Sequence, residues 1–160
     1  MARASGKGQQ VLEFKTWGGK RKGAGRPPRG RRSSEPHQRR ERFSRPTPVH
    51  VTLRVMADVG RLRRRAIYQA VGRAIIAVLG RTDFRIVHVS LESGHLHLIV
   101  EADHDGALAR GIQAFQISAA RRINQVLTRE RVVQRRGTVF SDRYHARLIG
   151  SPTQARHALA

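Results

Sequence analysis

Apolar and polar residues alternate strictly from Pro48 onward. Val49, Val51, Leu53 and Val55 fall on one side, and His50, Thr52 and Arg54 on the other. A period of two predicts a half-buried strand. The spacing then lengthens to the helical period, with Asp58 placed as a cap before Val59, Leu62, Ala66, Ala70, Ala74 and Val78, and Gly80 as the stop. Phe84 to Leu91 predicts a second strand that puts Val87, Val89 and Leu91 toward the core and Ile86, His88 and Ser90 away from it. The turn Glu92-Ser93-Gly94 leads into a third strand, His95 to Ala102, which makes a hairpin. Asp105 opens a second long helix with Leu108, Ile112, Phe115, Ala119, Ile123 and Val126 on one stripe. Val139 to Ile149 reads as one or two short strand pieces, and Ser151-Pro152 is a helix start, an N-cap followed by proline.

The predicted order is β-α-β-β-α-β followed by an opening helix. That is an α+β, ferredoxin-like antiparallel sheet with both helices on one face, occupying residues 49–160. Residues 1–48 differ in kind. From Gly18 to Arg32 they are rich in Gly, Pro, Lys and Arg, with few apolar residues and no period. Such a stretch buries too little surface to offset its ordering entropy, so a disordered basic arm is expected. Its Gly25-Arg26-Pro27 core suits either an arm entering a narrow minor groove or a phosphate-binding tail.

Charge sharpens the picture. The 160 residues hold 32 Lys+Arg against 11 Asp+Glu, a formal charge of +21. A compact chain this far from neutrality repels itself unless a polyanion neutralises it, which points first to nucleic acid and second to an anionic membrane. The chain has no cysteine, so disulfides and thiolate metal sites are excluded. No apolar run approaches a membrane span or a signal peptide, so a soluble, cytoplasmic protein is expected.

Sorting each strand by face leaves His50, Thr52, Arg54, His88, Ser90, His95, His97, Ile99 and Glu101 on the uncovered side of the sheet. His95 and His97, two apart on one strand, place their imidazoles side by side and can share a divalent cation, with a third ligand from elsewhere. Two exposed histidines without a metal remain the plain alternative. His50 and His88 read as polar filler, Glu101 as solvated, and Asp103-His104-Asp105 as a helix start capped by Asp105. Arg54 on the sheet face, Arg135 and Arg136 in the loop, and Arg143 and Arg147 beside the last strand are candidate phosphate contacts, as is Arg26 in the arm.

Two blocks carry a resemblance. Gly94-His95-Leu96-His97-Leu98-Ile99-Val100-Glu101-Ala102 resembles the hairpin of the HUH-type single-strand DNA transposases. Gly137-Thr138-Val139-Phe140-Ser141-Asp142-Arg143-Tyr144-His145-Ala146-Arg147 resembles the strand that follows the second helix in the REP-associated tyrosine transposase branch. The Gly-rich basic arm and Pro48-Val49-His50-Val51-Thr52-Leu53 fit the same branch.

The resemblance implies Mg²⁺ or Mn²⁺ held by His95 and His97, single-stranded or hairpin DNA as substrate, and a homodimer. It also implies a tyrosine that attacks the scissile phosphate, giving a 5′-phosphotyrosyl enzyme and a free 3′-hydroxyl. A phenol is a weak nucleophile at its ordinary pKa and needs a base or a metal nearby. In that family the tyrosine lies on the helix after the last strand. Here the helix opening at Pro152 holds no tyrosine up to Ala160, so the expectation is a C-terminally truncated, inactive chain. Tyr68 reads as core or helix surface, and Tyr144 as packing or base stacking with a minor candidacy as nucleophile.

Two other readings stay open. A non-catalytic basic module would bind DNA or RNA on the open sheet face, but the strand positions that ferredoxin-like RNA binders fill with aromatics hold His, Thr, Arg and Ser here. A water-using nuclease would need carboxylate ligands on that face.

Overall fold

The computed structural model describes residues 40–131 and 134–159, all within the second of the chain's two compact units, Ser34–Ala160. The predicted basic arm up to residue 39, Arg26 included, lies outside the described residues.

Strand β1 (Thr47–Arg54) is followed by helix α1 (Arg65–Ile76), strands β2 (Phe84–Leu91) and β3 (His95–Ala102), and helix α2 (Asp105–Arg131). Strand β4 (His145–Leu148) and helix α3 (Pro152–Leu159) complete the order. The sheet runs β2-β3-β1-β4, antiparallel at every seam, with β1 and β3 inside. This is the ferredoxin-like α+β arrangement predicted from the hydrophobic pattern. Val49, Val51 and Leu53 of β1 and Leu96, Leu98 and Val100 of β3 pack with Ile67, Val71 and Ala74 of α1 and Ile112, Phe115 and Ile123 of α2. Both helices therefore cover one face, and the other is left to the polar set.

Three details correct the sequence reading. First, α1 begins at Arg65, not after Asp58. Residues Ala57–Val59 form one 3-10 turn, and Gly60 follows with φ +79°, a conformation that interrupts a helix and suits glycine. The buried stripe becomes Ile67, Ala70, Val71 and Ala74, while Ala66 is only half-buried. Second, β2 carries a bulge between Ile86 and His88, which leaves Val87 as the extra residue, 58% exposed. Ile86 and not Val87 faces the core, and Val89 and Leu91 resume on that side after the bulge. Third, the nitrogen that caps α2 belongs to His104, whose Nδ1 accepts from the Ala107 amide at 3.1 Å. Asp105 is the first helical residue and accepts only from the adjacent Gly106 amide.

On α2 the buried stripe ends in Leu127, with the predicted Val126 half-buried beside it. Gly111 lets α2 settle on β2. A Cβ there would lie 2.2 Å from Cγ of Phe84. Val139 to Ile149 makes two strand pieces, an isolated bridge from Phe140 to Val55 and then β4 itself. Ser151 caps α3 by accepting from the Gln154 amide, and Gln154 Oε1 accepts in return from the Gly150 amide, a reciprocal start signal.

Before β1, Phe43 packs on the core and its carbonyl accepts from the Asp105 amide. Arg40 lays its guanidinium 3.7 Å from the centre of the Tyr144 ring and donates to the Tyr144 carbonyl at 3.0 Å.

Candidate functional site

Because β1 and β3 are bonded on both sides, the register fixes which side chains share a row away from the helices. One row reads Ser90, His97, Thr52, His145; the next reads His88, Ile99, His50, Arg147; and Arg54 stands beside His95. Five of the chain's eight histidines, His50, His88, His95, His97 and His145, thus share one face. A merely solvated surface does not need that concentration.

His97 is the hub. Its Nδ1 lies 3.2 Å from Nε2 of His50 and 3.4 Å from Oγ1 of Thr52. The His50 and His97 rings stack at 5.4 Å with their planes 22° apart, and the His95 ring sits 6.3 Å from that of His97. The opposite nitrogen of His97, Nε2, is 3.6 Å from the Glu92 carboxylate at the hairpin turn. Burial, and then the charges of His97, His145 and Arg147, hold the His50 imidazole below its ordinary pKa. His50 is therefore biased toward the neutral form, able to accept or donate one hydrogen bond. Among the described residues no three histidine or acidic side chains converge closely enough to enclose an ion. His95 and Glu92 are both exposed.

The structure brings His95, His97, Arg54 and Arg147 onto this face, together with His50 and His88. It does not bring Tyr144 there. Tyr144 belongs to the core cluster, and burial raises its phenol pKa against the pull of Arg40 and Arg143. Tyr68 is exposed on α1, in the helical layer. Arg135 turns inward. It donates to Asp58 Oδ2 at 2.8 Å, to the Thr138 carbonyl at 3.2 Å and to Asn124 Oδ1, and its side chain is only 9% exposed. Arg136 is exposed in the loop, and Arg143 stands outside β4 beside Tyr144. Glu101 is paired with Arg85, whose Nε donates to Glu101 Oε2 at 2.6 Å.

His145 and Glu92 escaped the sequence reading. The alternation His145-Ala146-Arg147-Leu148 was the available signal for the first, although only the pairing with β1 assigns its face. For Glu92 the signal was its place three residues before His95 in a tight turn.

Comparisons with known proteins converge on one group. The family model described as "Transposase IS200 like" matches residues 47–157. A structure assigned as a transposase of Deinococcus radiodurans superposes with a TM-score of 0.52 at 11% identity, covering 76% of this chain and 93% of that one. The structure of a REP-associated tyrosine transposase bound to a REP hairpin gives 0.51 at 17% identity, covering 77% and 67% respectively. At these identities the two structures speak for the fold alone. Curated protein sequences give no match.

Proposed function

The chain belongs to the IS200-like transposase family, and from that premise we propose that it handles single-stranded DNA on the histidine face of its sheet. The activity proposed for the fold is metal-assisted strand cleavage and rejoining through a phosphotyrosine, to which these residues contribute the DNA and metal site and not the nucleophile. The observation that carries this reading is the seating of His97 between His50 and Glu92 on an inner strand, with His95 on the same side.

The ion proposed is Mg²⁺ or Mn²⁺, for which a carboxylate is the suited donor. His95 and His97 would hold the ion, and Glu92 is the carboxylate within reach, 3.6 Å from His97 Nε2. When bound, such an ion polarises a phosphodiester toward attack at phosphorus. The residues themselves prepare that site. His50 Nε2 and His97 Nδ1 share one hydrogen bond; in the tautomer where His97 Nδ1 donates, Nε2 of His97 is the nitrogen that would bind an ion shared with Glu92. Arg54 and Arg147 flank the histidine rows and neutralise backbone phosphates laid across them. In the cleavage step a tyrosine oxygen bonds to phosphorus, the bond to the 3′-oxygen breaks, the phenol proton leaves and the 3′-oxygen takes one up. Tyr144, on the core side, is not placed for that attack, and no residue of the chain is assigned to it. A homodimer and a cytoplasmic, DNA-associated location belong to the same reading.

The test is Mn²⁺ titration by calorimetry, with and without hairpin DNA, on the native chain and on the double variant His95→Ala with His97→Ala. Binding that the double variant loses supports the proposal. DNA binding with no metal uptake in either protein would overturn it in favour of a non-catalytic basic binding module.

A further inference from the structure

Helix α1 carries apolar side chains on a face that none of the described residues covers. Tyr68 and Ile76 are 62% and 66% exposed, and Leu79, whose amide donates to the Ile76 carbonyl one tight turn later, is 63% exposed. Large apolar side chains gathered this way on a protein surface mark a contact site more often than an accident of composition. Tyr68, Gly72 and Ile76 are four apart and form one ridge of the helix, with half-buried Ile75 beside it. Arg65, Gln69 and Arg73, all exposed, form the next ridge at the same spacing. The result is an apolar strip bordered on one side by positive charge.

Gly72 interrupts the apolar ridge at its middle. Glycine inside a helix is less favourable than alanine, so its presence calls for a reason. Gly111 has one in the Phe84 ring against it, and Gly60 has one in its positive φ. Gly72 has neither, because a Cβ there would meet nothing within 4 Å and its φ is not in the left-handed region. Nothing inside the fold uses this glycine. What it provides is a notch between Tyr68 and Ile76, where bare backbone lets a bulky side chain from another helix come close.

We propose that this strip is a docking site for an amphipathic helix of a partner protein, with a large apolar residue seated over Gly72 and a row of Asp or Glu facing Arg65 and Arg73. Charge selects the acidic partner. From Val59 to Thr82 the chain has six arginines and no acidic residue. Arg64 and Arg81 are engaged by Glu130 and Asp83, while Arg65 and Arg73 border the strip. The same charge argues against a second copy, since two α1 helices packed about a two-fold axis would set the Arg65–Gln69–Arg73 ridge against itself. A DNA backbone would satisfy the arginines but offers no apolar counter-surface to Ile76 and Leu79. A lipid surface would cover those side chains but has no use for the notch. The site lies in the helical layer and does not rest on the metal or the DNA reading of the histidine face.

The probe is a labelled peptide of about 18 residues with Leu at helical spacing and Glu along one flank. Its controls are a scrambled peptide of the same composition and one with Lys in place of Glu. Fluorescence anisotropy at physiological salt should show the first peptide binding at least about tenfold more tightly than either control. Gly72→Leu, which fills the notch, and Ile76→Ser, which removes an apolar wall, should each weaken that binding by about tenfold or more while the chain stays folded. Arg65→Glu with Arg73→Glu should remove the preference for the Glu peptide over the Lys peptide. In the free chain Gly72→Ala should raise the denaturant midpoint, the mark of a glycine that the fold itself does not need. A lowered midpoint would give Gly72 an internal role, and equal binding of the scrambled peptide would mean that charge alone is read; either overturns the proposal. Self-association of the free chain that Ile76→Ser abolishes in sedimentation would assign the strip to a second copy instead. Binding to phosphatidylglycerol vesicles that the same variant loses would assign it to a lipid surface, and each of these results also overturns it.

Discussion

His50 and His97, on adjacent inner strands, meet nitrogen to nitrogen at 3.2 Å with their rings stacked. One imidazole thereby fixes the orientation and proton position of the other. Replacing His50 by Phe keeps a flat ring in the space and removes the nitrogen. Mn²⁺ affinity should fall by about tenfold to a hundredfold, as it does when outer partners of ligating histidines are lost. Calorimetry on His50→Phe checks this, and an unchanged affinity would mean that His97 needs no such partner.

Gly111→Ala should destabilise the fold although alanine is the better helix former by about 1 kcal/mol. The new methyl would meet three atoms of the Phe84 ring at 2.2 to 2.5 Å, and Phe84 is itself buried. Overpacking of that kind costs about 1–3 kcal/mol beyond the propensity gain. Denaturant midpoints should drop in Gly111→Ala and recover in part when Phe84→Leu is added. Recovery that fails would place the strain elsewhere.

Arg135 and Arg136 are neighbours with different roles. Arg135→Ala removes donors from Asp58, Asn124 and the Thr138 carbonyl and should cost about 1–3 kcal/mol of stability. Arg136→Ala should leave stability within about 0.5 kcal/mol. If Arg136 touches a phosphate, its loss should make the salt slope of DNA binding shallower by about 0.7–0.9. Parallel urea melts and salt titrations of the two variants decide it.

The Tyr144 phenol offers a pH test. Burial raises its folded-state pKa above the ordinary phenolic value, and Arg40 and Arg143 pull the other way. The folded state therefore holds this proton more tightly than the unfolded chain does. The stability linked to it is complete below the ordinary phenol pKa and is lost as pH rises from there through the folded value. Thermal melts on the alkaline side should decline less steeply in Tyr144→Phe. In a Tyr68→Phe background, Arg40→Gln should move the phenolate absorbance transition to higher pH. A transition left in place would show that the Arg40 contact at 3.7 Å has no electrostatic weight.

Strands whose two faces meet different surroundings were readable from the sequence. The alternation in β1 and β3 sorted His50, Thr52, His95 and His97 onto one side without error. The errors arose where geometry depends on partners far along the chain. Asp58 has the composition of a helix cap, yet it serves Arg135, 77 residues later. The helical period through Val59 and Leu62 was real burial, since both are buried, but Gly60 divides it from α1. His145 gained its position only through the register of β4 on β1, which no local spacing encodes.

The extra residue at Val87 is also a phase shifter. Before it, even-numbered residues of β2 face the core; after it, odd-numbered ones do, and Phe84 and Leu91 are buried at the two ends of one strand only because of that change. Val87 itself touches little, so a conservative exchange there should pass almost unnoticed, while deletion of the same residue should act like a frameshift in space. One end of the strand would have to present its apolar side chains to water and its polar ones to the helices, and His88 and Ser90 would leave the rows they share with His50 and His97. At this position chain length matters more than side-chain identity.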